Sequence, residues 1–258
     1  GHALEPSAGI PPVQTTDAVW KENTITEDDI DLNKIPIPTH GLHDGGPFIT
    51  GGVTVAKDPV SGRGNLSYNR MQILGPKTLG FNVNEWRHTL QFYKEQEGKN
   101  EPLQVAIAIG LDPAIMIAAG ARYDDDELLI AGAIRNAGVP VCKGMMTDID
   151  IPAEAELVIE GYLPPFERRD EGPLAEFHGY YGEPWNSPVL HVTAIHHRND
   201  PIYQTIIPGA YEHIYIGNVL PREPLLRRFV QHVSAKVTGL HIPPYTNGFS
   251  AVVQIEKS

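Results

Sequence analysis

Cysteine is almost missing from this chain. Cys142 is the only one in 258 residues, which excludes an intrachain disulfide and any zinc or iron–sulfur site built on several cysteines. A reducing, cytoplasmic setting is the expectation. No apolar run reaches the roughly 18 to 20 residues of a membrane-spanning helix, so no membrane partner is expected, and the N-terminus lacks the charged and apolar regions of a secretion signal. The chain begins Gly1-His2 rather than with methionine, so the native protein is expected to extend further. Positive charge is scarce: 20 Lys and Arg stand against 32 Asp and Glu, a net −12. Nucleic acid is therefore a poor partner, because its binding rests on cations that neutralise phosphates. An anionic ligand would need a local basic pocket, for which Arg70 is a candidate. Neither GxGxxG after a strand nor GxxxxGK occurs, so neither nucleotide-binding signature is supported.

What is present concentrates between Gly62 and His88, GRGNLSYNRMQILGPKTLGFNVNEWRH. Asn65 offers a carbonyl oxygen, His88 a ring nitrogen, and Arg70 a planar fork suited to carboxylate or phosphate. A carboxylate added to the first two would begin a metal site. Two acidic stretches could supply one: Asp124–Gly132 (DDDELLIAG) and Glu171–Glu176 (EGPLAE). Each residue also has an ordinary use: Asn65 in a turn after Gly64, Arg70 in an ion pair, and Glu127 in a capping box with Asp124. Glu171 and Glu176 flank a Gly-Pro turn and can converge on one cation or one arginine, or else lie in an exposed acidic loop.

At this length the chain can bury a core as one large domain or two small ones. Residues 1–48 are proline-punctuated and polar and read as an extended lead-in laid along a surface; its HGLHDGG stretch reads as a turn rather than a metal site. From Ile49 two strands are expected around the turn Asp58–Gly62, the second placing Arg70 and Gln72 on one face and Met71 on the other. A helix over about Asn84–Glu97 would bury Trp86, Leu90 and Tyr93 and leave His88 beside a cleft. Leu103–Gly110 reads as a buried strand, Asp112-Pro113 as the start of a short helix, and Asp124–Asn136 as a helix ended by Gly138. Strands are expected at Ala155–Leu163, Pro188–Arg198 and Pro201–Pro208. A helix with Leu225, Leu226, Phe229, Val230 and Val233 inward and a last strand, AVVQIE, complete the chain. The sum is an α+β fold, mainly antiparallel β.

Read together and in order, IPIPTH…DGGPFITGGVTVAKDPVSGRGNLSYNRMQ, RHTLQFY, ELLIAGAIRNAGVPV, IPAEAELVIEGYL and EGPLAEFHGYYGE resemble the UbiD family of decarboxylases, which use prenylated FMN. The likeness runs from about Ile35 to Ser258. It implies a split β-barrel of flavin-reductase type with flanking helices over 49–258. It implies that Asn65, His88 and Glu127 hold a divalent ion, usually Mn2+, against the cofactor phosphate, with Leu66, Arg70, Met71, Gln72 and Arg87 also around the cofactor. A K+ site near Leu66, Ala118 and Ala119 is implied more weakly. Glu171, Arg70 and Glu176 would form the catalytic network: Arg70 orients the substrate carboxylate, Glu176 returns a proton after carbon dioxide leaves, and Glu171 holds Arg70. The cofactor forms a covalent adduct with the substrate and serves as electron sink. Substrates would be small α,β-unsaturated, aromatic or heteroaromatic acids, with either direction of reaction open.

The GARYDDDE loop before Glu127 departs from the family in lacking a proline often found there. Family members are usually longer, with an α/β domain before this region and another domain after it that commonly makes the dimer. The chain is thus expected to be a decarboxylase's catalytic domain, or a flavin-binding module completed by a partner subunit or by a second copy. A third reading, a structural β-barrel with incidental acids, requires that Asn65, His88 and Glu127 do not converge.

Overall fold

The computed structural model describes residues 9–85, 87–234 and 236–257. Gly1-His2 and Trp86 lie outside them. In chain order the elements are β1 (Val13–Gln14), β2 (Asn23–Thr26), β3 (Phe48–Ile49), β4 (Val53–Lys57), β5 (Gly64–Tyr68), β6 (Met71–Gly75) and β7 (Thr78–Phe81). Next come α1 (His88–Gly98), β8 (Leu103–Ile109), α2 (Pro113–Gly120), α3 (Glu127–Arg135), β9 (Pro140–Lys143), β10 (Asp150–Pro152), β11 (Leu157–Leu163) and β12 (Arg168–Glu171). The chain closes with β13 (Trp185–His197), α4 (Tyr211–Ile214), α5 (Leu220–Val233), β14 (Val237–His241) and β15 (Val252–Ile255).

One antiparallel sheet dominates, in the order β3-β6-β7-β13-β11-β8-β4-β5, with β2 and β12 also paired to β13. The α+β, mainly antiparallel expectation holds. The strand path is open, and no closed barrel forms among the described residues. Both faces of the sheet are buried, so its central strands read as nearly continuous apolar runs rather than as clean alternations. The two-residue period sorts them all the same. On β8, Val105, Ile107 and Ile109 join a core with Phe81, Leu90 and Tyr93, while Ala106 and Ala108 face Ile115, Ala118, Leu128 and Ala131 of α2 and α3. Alanines at that face let the two helices approach the sheet closely, which brings the start of α3 over β5.

Several expectations are corrected. Arg70 is not in mid-strand: the second expected strand is two, β5 and β6, and Arg70 stands in the break between them. Residues 201–208 are extended but pair with no strand among the described residues; they cross over Gly51, where an added Cβ would stand 2.9 Å from the Gln204 carbonyl. The stripe on α5 is inward only in part: Val230 packs against Ile214, Val219, Leu240 and Ile242 and Leu225 is half-buried, but Leu226, Phe229 and Val233 are 39%, 69% and 76% exposed, with nothing among the described residues covering them. Among the described residues the last strand, β15, pairs with β14 alone, and it is exposed along its length. Helix α3 starts at Glu127 rather than Asp124; it stops at Asn136 as expected, but on that residue's own left-handed cap rather than through Gly138. The described part of the lead-in is not simply extended: besides β1 and β2 it carries short 3-10 turns at Val19–Glu22, Glu27–Asp29 and Leu32–Lys34, and part of it is core. Trp20 is fully buried and donates its Nε1–H to Pro152 O at 3.1 Å, and Leu32 is fully buried as well. Among the described residues no helix is long and apolar enough to cross a membrane.

Candidate active site

Two adjoining cavities, of about 280 and 240 Å³, share Asn84, Arg87 and Arg222 in their walls. The smaller one lies where β5, the start of α1 and the start of α3 meet. Asn65 is buried on β5, and its Nδ2 donates to Thr89 Oγ1 at 3.3 Å. That bond turns Oδ1 toward His88, whose Nδ1 lies 3.1 Å away. Burial, and next the Arg63 charge, push the His88 pKa below its ordinary value, so the ring is neutral at pH 7.

Glu127 opens α3, but the expected capping box does not form. Asp126 is the N-cap, its carboxylate accepting the Leu128 amide at 2.8 Å. The Glu127 carboxylate is thereby released from capping and instead accepts the Leu66 amide at 2.7 Å. Burial pushes its pKa up to about 8, against the pull of the Leu66 hydrogen bond. Asn65, Leu66, Arg87, His88 and Glu127 all line this cavity, so Asn65, His88 and Glu127 do not stay apart as the structural-barrel reading required.

The donor set fits a hard divalent ion: an amide oxygen, an imidazole nitrogen and a carboxylate whose charge burial now suppresses. Among the described residues no group of three or more His, Cys, Asp or Glu gathers for a metal; a site here would need the Asn65 amide as its third donor. The same cavity collects Arg87, Arg122 and Arg222. Arg87 is pushed below its ordinary pKa by burial and then by Arg122. A bound phosphate would relieve that crowding of like charge. The carbonyl of Ala118, placed by resemblance near a potassium ion, accepts the Ala121 amide at 2.9 Å.

In the larger cavity Arg70 holds the centre. Its Nε donates to Glu171 Oε1 at 2.9 Å and its Nη2 to Glu171 Oε2 at 3.2 Å, while Nη1 is paired with Glu176 Oε1. Glu171 is fully buried and also accepts from Asn82 Nδ2 at 2.9 Å. Burial raises its pKa, with Arg70 pulling the other way. Gly80 makes room for it, since a Cβ there would stand 3.1 Å from the Glu171 side chain. Glu176, by contrast, lines the cavity together with Arg70. Of the two carboxylates, one anchors the guanidinium from behind and the other meets it in the open.

Met71 and Gln72, expected at the cofactor, line neither cavity. Met71 is fully buried in the core. Gln72 bridges two loops, donating to Gly45 O at 2.7 Å and accepting from Gly172 N at 2.8 Å. The break at Arg70 puts it and Gln72 to different uses. Sequence reading missed Tyr68, Asn82, Arg122, His213 and Arg222. Tyr68 lines the larger cavity with a buried hydroxyl that has no partner, as suits a polar ligand. Arg122 lay in the GARYDDDE loop already under suspicion. His213 and Arg222 arrive from α4 and α5, which a π-helical turn over Tyr215–Val219 joins; nothing local in the sequence marks them.

The sequence model described as 3-octaprenyl-4-hydroxybenzoate carboxy-lyase Rift-related domain matches residues 12–211. The anhydromevalonate phosphate decarboxylase of Methanosarcina mazei is 37% identical, over 90% of this chain and 54% of that protein. The phenolic acid decarboxylase of a Streptomyces species is 31% identical, over 96% and 54%. The UbiD-class enzyme HmfF of Pelotomaculum thermopropionicum, solved in complex with FMN, superposes with a TM-score of 0.94 at 39% identity, covering 99% of this chain and 58% of that one. An evolved dimeric form of it in complex with prFMN gives 0.93, over 98% and 60%. This chain spans about half the length of the curated relatives it matches. Because the likeness covers most of the chain in sequence and nearly all of it in fold, the chain belongs to the UbiD family.

Proposed function

We propose that this chain is the cofactor-holding domain of a carboxy-lyase, supporting non-oxidative, reversible decarboxylation of an α,β-unsaturated, aromatic or heteroaromatic acid. The observation that carries the reading is one arginine held by two carboxylates in a cavity that adjoins a second, metal- and phosphate-suited one. Asn65, His88 and Glu127 would hold Mn2+, and Arg87, Arg122 and Arg222 would receive the phosphate of prenylated FMN. When bound, that cofactor supplies the electron sink for the carbanion equivalent left by decarboxylation. The open sheet is read as the split-barrel scaffold for it, and no step is assigned to potassium.

The chain's own residues then divide the work. Glu171 fixes the Arg70 fork through two parallel hydrogen bonds, so its remaining Nη1 edge faces the cavity in a set direction. A substrate carboxylate takes that edge in competition with Glu176. Displaced from Arg70, the Glu176 carboxylate takes up a proton from solvent and passes it to the carbon that has lost carbon dioxide. In the reverse direction the same carboxylate removes the proton.

A second reading, a flavin-binding module completed by a partner chain or a second copy, is favoured by the exposed Leu226, Phe229 and Val233 on α5. Native mass spectrometry after anaerobic reconstitution with prenylated FMN, Mn2+ and K+ tests the shared part of both. A stoichiometric mass gain that Glu127→Ala abolishes is expected; no gain in the unaltered chain would refute a cofactor site complete within this domain. Turnover of a cinnamate-type acid by the loaded chain alone would then exclude the second reading.

A further inference from the structure

The HGLHDGG stretch is the sequence motif that neither cavity has absorbed. Residues 40–46 form the turn its glycines promised, folded by Asp44, whose Oδ2 accepts the amides of His40 at 3.0 Å and Gly41 at 2.6 Å. On one side the turn grips the loop that carries Glu176. Gly45 N donates to Pro173 O at 2.8 Å, Gln72 ties Gly45 O to Gly172 N, and His43 N reaches the Tyr181 hydroxyl at 3.4 Å. A Cβ on Gly45 would run into the Gly172 carbonyl, so the two backbones touch. On the other side His40 Nε2 lies 2.7 Å from Thr205 Oγ1 and 3.2 Å from Thr50 Oγ1, and the two hydroxyls are 2.9 Å apart. Thr50, Ile206 and Pro208 form part of the larger cavity's wall.

We propose that the His40–Gly46 turn is a bracket setting the position of Glu176 relative to the cavity wall at Thr50 and Ile206, with His40 as its positioning residue. The proposal rests on the reading of Glu176 as the proton-delivering group. The loop closes on itself as a small hairpin: Glu176 N donates to Tyr180 O at 2.8 Å, Gly179 N to Glu176 O at 3.0 Å and Gly182 N to Leu174 O at 3.4 Å, with Ala175 bridged to Tyr181 and turns on Gly172 and Gly179, both at positive φ. Those bonds set the hairpin's internal shape, while its place beside Arg70 depends on what the hairpin is tied to. The bracket ties it at Gly172, Pro173 and Tyr181, and His40 is the link from the bracket to the wall. The His40 Nδ1 is buried without a partner, so the ring is held by its Nε2 contacts. Burial lowers its pKa, with Asp44 opposing.

The test compares the wild-type protein with His40→Ala, His40→Gln and Thr205→Val. It uses hydrogen exchange of 172–182 without cofactor, and kcat and KM after reconstitution with prenylated FMN and Mn2+. His40→Ala and Thr205→Val should each speed exchange in 172–182 about tenfold, the effect of losing a buried hydrogen bond, without speeding it in β8 or β11. In His40→Ala, kcat should fall about 10²-fold with KM changed less than about threefold, the mark of a misplaced reacting group. His40→Gln, whose amide can meet both hydroxyls, should recover most of both effects. Unchanged exchange in 172–182 in both His40→Ala and Thr205→Val would overturn the bracket. Faster exchange with unaltered kcat would overturn the positioning role. A reconstituted wild type that does not turn over would count against the proposed function instead, and the exchange comparison would then decide the bracket alone.

Discussion

Metal binding should release a proton, and the structure says how much and from where. Glu127 is buried and pushed up to about 8, so at pH 7 it is roughly nine-tenths protonated. A divalent ion needs the carboxylate. Each Mn2+ bound at pH 7 should therefore release about 0.9 proton, falling to about 0.5 at pH 8. His88, lowered from 6.5 by burial, is already neutral and adds almost nothing. Deprotonation costs about 1.4 kcal/mol at pH 7 and about 2.7 at pH 6, so apparent affinity should rise about tenfold over that interval and level off above pH 8.

The sign for stability follows from the same shift. The folded pKa lies above the ordinary 4.5, so the metal-free chain has the full benefit of the Glu127 proton below about pH 4.5 and loses it as pH climbs through 8. Mn2+ replaces that proton, so the rise in Tm it produces should be larger at pH 8 than at pH 6. Titration calorimetry with Mn2+ in two buffers of different ionisation enthalpy counts the protons directly, with Glu127→Gln as control. Affinity flat from pH 6 to 8, or no proton released at pH 7, would refute the assignment of Glu127 as a ligand.

Three further outcomes are expected. Glu176→Gln should abolish decarboxylation while leaving flavin bound, and retained turnover would remove it as the proton-delivering group. Arg222→Ala should weaken FMN binding by about 10- to 100-fold, the worth of one charge-assisted hydrogen bond, in a fluorescence titration; unchanged binding would place the phosphate elsewhere. Trp20→Ala should cost about 3 to 5 kcal/mol and lower the urea midpoint, whereas a loss under about 1 kcal/mol would mean that the lead-in is not part of the core.

Local chemistry carries a good share of this protein. The strands at Leu103–Ile109 and Leu157–Leu163 are apolar enough to be legible without coordinates, and Asp112 followed by Pro113 starts α2 as its residue types require. The ordered motifs around Asn65, Arg70, His88, Glu127, Glu171 and Glu176 were enough to pick out residues that the fold brings to two adjoining cavities or directly behind one of them. What failed was whatever depends on a partner distant in the chain. Among the described residues, 201–208 have strand composition but find no ladder, and Leu226, Phe229 and Val233 of the α5 stripe have core spacing but nothing to cover them. Asp124 and Glu127 have capping spacing, yet Asp126 caps the helix and Glu127 turns to Leu66.

Residue types and spacing determined which chemistry the chain could carry: one arginine, two flanking acids, and a mixed oxygen and nitrogen donor set. Only the tertiary structure decided which acid is buried and which faces the cavity, and that Arg122 and Arg222 join Arg87. It alone set the turn legible at His40–Gly46 against the Glu176 loop, through Gly45 N to Pro173 O and the Gln72 bridge. The reason is physical. A pattern of neighbours fixes backbone preference and the face a side chain takes, but desolvation, pKa and hydrogen-bond partner depend on what the rest of the chain places within a few ångströms.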